Sequence, residues 1–165
     1  MRKLFTVVVV ALALAGIASA STGPEAAVGS SHLVVHDVFG LQTLELQHFS
    51  FASVAAHDGD ATGAFSYREL DDGAPFTAGG HVICMTVVGN DAWVGAVIDR
   101  SNDPTVVGLG SWWHVTDNGN RPGDPADITT FLGIGSIDAT VQYCAAHPAY
   151  KHPFPIDGGS IVVSG

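Results

Sequence analysis

The sequence predicts an all-β domain, and three observations lead there. Apolar runs rich in Val, Phe, Trp and Thr recur about every ten to fifteen residues, bounded by Gly, Asp, Asn and Pro. No stretch beyond the N-terminal segment sustains a helical apolar period. The 165 residues include 20 Gly and 8 Pro but only 2 Met, a composition that disfavours helices. The architecture expected is an antiparallel barrel or sandwich of roughly eight strands, since either arrangement shields sheet edges.

The N-terminus reads as a secretory signal. Arg2 and Lys3 form a short positive segment, Leu4 to Ala15 is apolar apart from Thr6, and Ala18-Ser19-Ala20 is an A-x-A cleavage site. The apolar run is too short to span a bilayer, and no Cys occupies the first mature position. Residues 1–20 are therefore expected to be removed, leaving a secreted protein from Ser21 to Gly165. Residues 21–31, mostly Gly, Ala and Ser with one Pro, read as a flexible leader, and residues 32–165 as a single β domain.

Strands are expected at His32–Val38 and Leu44–Ala55, with Asp58-Gly59 suited to the tight turn that follows. The next is Thr62–Leu70, ended by Asp71-Asp72-Gly73. Thr77–Val88 is the most apolar, and Gly89-Asn90-Asp91 turns it into Ala92–Asp99. Asn102-Asp103-Pro104 leads into Thr105–Thr116. A polar loop, Asp117–Asp127, precedes strands at Ile128–Ile134 and Ile137–Cys144. A Pro-rich segment, Pro148–Pro155, and a closing strand, Ser160–Ser164, complete a chain of lipocalin-like size. Thr77–Val88 and Ala92–Asp99 are apolar on both faces, whereas a strand wetted on one side alternates. The long loop, the Pro-rich tail or a partner is expected to cover their second face.

Sixteen acidic residues face six basic ones, a net charge of −10. Removing the signal leaves Arg68, Arg100, Arg121 and Lys151, so the charge becomes −12 (four minus sixteen). No basic cluster is visible along the chain, which argues against nucleic acid and anionic membranes as partners, and the acidity suits a soluble monomer. In an exported chain the two cysteines, Cys84 and Cys144, most simply pair with each other. Two inert thiols and an intermolecular bridge are the alternatives.

Val97-Ile98-Asp99-Arg100-Ser101-Asn102-Asp103-Pro104 and Val115-Thr116-Asp117-Asn118-Gly119-Asn120-Arg121-Pro122 both fit V-x-D-x-x-N-x-P. In a meander they fall at opposite ends of the domain, as two strand exits whose Asp and Asn satisfy turn backbone. Loops holding Asp58, Asp60, Asp91, Asp117, Asp124 and Asp127 alternate onto one rim where calcium is conceivable, yet the spacing matches no calcium loop. His36, His48, His81 and His114 lie on separate strands with no zinc spacing. Gly133-Ile134-Gly135-Ser136 and Gly108-Leu109-Gly110-Ser111 are Gly-rich but not G-x-S-x-G. No catalytic, metal or cofactor residue is assigned. Trp112 and Trp113, adjacent on a strand, must point to opposite faces. Phe49, Phe51, Phe65, Tyr67, Trp93 and Tyr143 read mainly as core.

The stretch from Phe49 to Gly135 resembles a group of uncharacterised exported bacterial β-domain proteins. The resemblance rests on Phe49-Ser50-Phe51, Gly80-His81-Val82-Ile83-Cys84-Met85-Thr86-Val87-Val88-Gly89-Asn90, Ala92-Trp93-Val94-Gly95, Ser101-Asn102-Asp103-Pro104, Trp113-His114-Val115-Thr116-Asp117-Asn118-Gly119 and Cys144. It implies a secreted, β-rich protein with a Cys pair and carries no activity over.

The functional expectation is a non-enzymatic binding module for a small apolar ligand held inside or for a surface partner. A small extracellular enzyme using rim carboxylates and a histidine, and an envelope-associated structural module, are the alternatives.

Overall fold

A computed structural model describes residues 23–36, 44–55, 60–71, 74–149 and 152–165. The expected signal (1–20), the Asp58-Gly59 turn and Asp72-Gly73 lie outside the described residues.

The chain forms one curled antiparallel sheet of ten strands: β1 Glu25–His36, β2 Leu44–Ala55, β3 Ala61–Asp71, β4 Ala74–Val88, β5 Asp91–Ser101, β6 Gly110–Thr116, β7 Ile128–Thr129, β8 Gly133–Gly135, β9 Phe154–Pro155 and β10 Gly158–Ser164. The order β10-β1-β2-β3-β4-β5-β6-β7-β9 is a meander whose last strand returns beside the first, and β8 pairs with the other half of β6. A half-barrel results rather than a two-sheet sandwich. Side chains alternate across it as the pleat requires: on β2, Gln47, Phe49, Phe51, Ser53 and Ala55 are buried while His48, Ser50, Ala52 and Val54 are exposed.

The inside is filled by side chains. Phe49, Phe51, Phe65, Tyr67, Met85, Val94, Ile98, Trp113, Val115 and Ile161 form one buried cluster. Trp113 is its hub, with ring centroids 5.0 Å from Phe49, 5.3 Å from Phe65 and 5.7 Å from Phe51. Offset and edge-to-face contacts of this kind add to the burial of each ring. Trp112 lies on the opposite face, as adjacency on a strand demands, and its ring meets Tyr143.

Several expectations are corrected. First, β1 begins at Glu25, so most of the segment expected as a flexible leader is strand. Its small residues answer to neighbours: a Cβ on Gly29 would stand 3.0 Å from the Ile161 side chain. Second, Thr105 to Leu109 is not strand but holds a single 3-10 turn, Pro104–Val106, capped by Asp103. Similarly, the strand expected over 128–134 is two short pieces, β7 and β8.

Third, Ile137–Ala146, expected as a strand through Cys144, is the helix α1. Ser136 caps it by accepting the Ala139 N–H, Asp138 sits in its first turn, and His147 ends it in the left-handed region. Thr140 and Cys144, one turn apart, are its buried residues and face β5. This helix covers the second apolar face of β4 and β5, together with Pro148, whose carbonyl accepts the Trp93 indole N–H. Gly95 makes the close approach possible: a Cβ there would stand 2.5 Å from Cys84 Sγ and 2.6 Å from Thr140 Cγ2. The Cys84–Cys144 disulfide fastens α1 to β4.

Candidate functional site on the outer sheet face

Two irregularities in the pairing of β4 with β5 shape the outer surface. Ile83 is unopposed between Val82 and Cys84, which turns Cys84 toward α1 and Met85 inward. Asp99 is unopposed between Ile98 and Arg100, because Gly79 pairs with Arg100 and Gly80 with Ile98. Asp99 and Arg100 are consecutive yet both exposed, as a β-bulge allows. Gly80 is required for this: a Cβ would overlap the Val97 carbonyl oxygen at 1.8 Å. Gly79 leaves room for Arg100, whose guanidinium lies across it, within 3.0 Å of where a Cβ would stand.

The outward residues of β10, β1, β2, β3, β4 and β5 then fall into register. Ser160, Ser30, Ser50, Ser66, Gly79 and Arg100 form one cross-strand row. His32, His48, Arg68 and Thr77 form the next, with the two imidazoles 4.7 Å apart. Because one row has almost no side-chain bulk and its neighbour is tall, the surface is hollowed. One concavity of about 430 Å³ is lined by Ser30, His32, His48, Ser50, Ser66 and Arg68 among others. A second of about 530 Å³ includes Ser66, Arg68, Thr77, Arg100 and Asn102. They share Ser66 and Arg68 and run together as a trough.

Among the described residues no Asp or Glu lines either concavity, although the chain carries sixteen. Among the described residues no carboxylate lies within 4.0 Å of Arg68 or Arg100. Under the same restriction the Ser30, Ser50 and Ser66 hydroxyls have no protein partner. Asp99 is occupied beside the trough by His81, whose Nδ1 sits 3.0 and 2.9 Å from its two oxygens.

The carboxylates expected on one rim do other work. Asp127 accepts the N–H of Asn118 and of Ile161, both at 2.8 Å. Asp117 accepts the N–H of Gly119 and of Val163, and Asp124 that of Arg121. Both copies of the V-x-D-x-x-N-x-P repeat serve strand exits: Asn102 holds Thr77 and Pro75 of β4, while Asn120 accepts from Ser160. No three of His, Cys, Asp and Glu gather as a metal-holding group among the described residues.

Of the histidines, His48 and His81 face outward on β2 and β4. His36 ends β1. His114 is 1% exposed on β6, against the Trp93 ring and 3.3 Å from Asp91. Burial pushes its pKa down from 6.5 to about 4, although Asp91 pulls the other way. The ring is therefore neutral at physiological pH. Burial also raises the Tyr143 phenol to about 12. Sequence reasoning missed Arg68, Arg100 and the serine row, because they are scattered along the chain and only strand register aligns them.

No family model, curated protein or solved structure matches this chain.

Proposed function

We propose that the chain is exported, its first twenty residues being a cleaved signal, and that it acts as a non-enzymatic module binding a partner on its outer sheet face. The observation that carries this is the contrast between an interior occupied by its own aromatic side chains and a polar trough open to solvent. The intramolecular disulfide suits an oxidising compartment, and no helix among the described residues is long and apolar enough to cross a membrane. The trough favours the surface arm of the binding reading over the internal apolar ligand, since among the described residues the inner face of the half-barrel is occupied by its own aromatic cluster. The enzyme alternative is less favoured. Although His81 and His114 each stand beside an Asp, no serine or threonine hydroxyl bonds to His81 among the described residues, and His114 is buried away from the trough.

Titration with palmitate, followed by NMR amide shifts, separates the two arms. Unmoved signals of Phe49, Phe65 and Trp113 are expected. Saturable movement of those core signals would overturn the surface reading.

A further inference from the structure

We infer that the outer trough binds a linear acidic polysaccharide, a uronate- or sulfate-bearing chain whose acid groups rest on Arg68 and Arg100. This rests on the surface-binding reading above and names the ligand class.

Charge selects the class. The protein is strongly acidic, at −10, so it repels anions over most of its surface. The trough is the exception: two guanidiniums with no described carboxylate within 4.0 Å line one concavity, Asp99 beside Arg100 being engaged by His81, and two imidazoles line the adjoining one. An Arg fork matches the planar, two-oxygen geometry of carboxylate and sulfate. Guanidiniums held at a solvent-exposed site retain that capacity, and a local positive field within an acidic protein selects where an anion docks.

Shape and hydrogen bonding select a polysaccharide among anions. With strands about 4.8 Å apart, the row from Ser160 on β10 to Arg100 on β5 spans about 24 Å, so a chain suits it better than a small ion. Ser30, Ser50 and Ser66 present hydroxyls that both donate and accept, which is what a hydroxyl-rich ligand needs. A peptide strand would instead seek unpaired backbone at a sheet edge, and here the backbone of β1 to β4 is paired on both sides. Nucleic acid presents far denser charge and exposed bases, while the trough holds two arginines and no Phe, Tyr or Trp on its outward rows. The buried Ser31, which also lines the first concavity, has a hydroxyl with no partner among the described residues.

The test titrates the full mature protein with an oligogalacturonate, a heparin-derived oligosaccharide and a neutral cello-oligosaccharide, following amide shifts and affinity at low and high salt. Saturable shifts confined to Ser30, His48, Ser50, Ser66, Arg68, Gly79 and Arg100, for either acidic chain and weakened by salt, are expected. Arg68→Gln and Arg100→Gln should each reduce affinity about tenfold, with Arg121→Gln unchanged and thermal midpoints preserved in all three. Ser50→Trp, which fills the trough, should abolish binding.

Equal binding of the neutral chain, insensitive to both arginine variants, overturns the acidic class and leaves surface binding standing. Silence of the trough toward both acidic chains also overturns the proposal, as does a response there only to duplex DNA or anionic phosphatidylserine vesicles. The palmitate result above is read separately, so failure of the ligand class is distinguishable from failure of the surface reading.

Discussion

The carboxylate of Asp127 accepts the backbone N–H of Ile161, 34 residues further along the chain, at 2.8 Å. Ile161 lies on β10, whose other side pairs with β1. Its free edge would otherwise present bare N–H groups, and Asp127 with Asp117 takes two of them. Side chains from the loop after β6 thus bridge the seam that the half-barrel leaves open, and they cover an edge that would invite aggregation.

Asp127→Asn tests this bridge. Asp127 is 5% exposed and uses both oxygens, whereas Asn offers one acceptor and turns an amide toward the other donor. Leaving a buried donor unmatched should cost about 2 kcal/mol in a denaturant titration. A loss below a few tenths of that would show that the seam holds without it.

Gly95→Ala should loosen α1. The added methyl meets Cys84 Sγ, Thr140 Cγ2 and Cys144 Sγ within 3.0 Å, a well-packed site where overfilling costs about 1–3 kcal/mol. The check is the chemical-denaturation midpoint together with the Trp112–Tyr143 contact read by fluorescence. An unaltered midpoint would mean that α1 shifts outward at no cost.

Replacing Cys84 and Cys144 together by Ser should lower stability by about 4 kcal/mol, the chain-entropy value for a loop of this length. Hydrogen exchange should quicken first in α1, which the bond ties to β4, and later in β2 and β3. Uniform quickening across the sheet would contradict a local clamp.

His114 predicts a stability slope with pH. Its folded pKa of about 4 lies below the 6.5 of the unfolded group. Between these values the unfolded chain binds a proton that the folded chain refuses, so stability falls as pH drops from 6.5 toward 4. Above 6.5 the contribution of the neutral ring is complete, and below 4 the slope from this group ends. Denaturation at pH 7, 6, 5 and 4 should show a flatter response for His114→Gln than for the parent. Parallel curves would place the origin in other groups.

Much of the sheet was legible along the chain. The strand Leu44–Ala55, the Gly89-Asn90 turn between β4 and β5, and the placing of Trp112 and Trp113 on opposite faces follow from local chemistry, whereas which of the two tryptophans enters the core does not. Helix α1 was not, because Ile137, Thr140, Val141 and Tyr143 are residues that strands favour. Helix propensities differ by only tenths of a kcal/mol per residue, and packing of Thr140 and Cys144 against Gly95 outweighs them. The Ser136 cap and Asp138 were the signals present. The small residues of β1 similarly read as a leader until β10 lies beside them.

By itself the sequence determined the antiparallel all-β class, the Cys pair as the simplest tie and the acidity of the chain, since periodicity, composition and charge are local or summed properties. Tertiary structure alone decided which side chains share a surface. Arg68 and Arg100 are 32 positions apart and look solitary in the sequence. Strand register aligns one with His48 and the other with Ser66, and the bulge at Asp99 lays Arg100 over Gly79. Register is a relation between partners, so no single segment carries it.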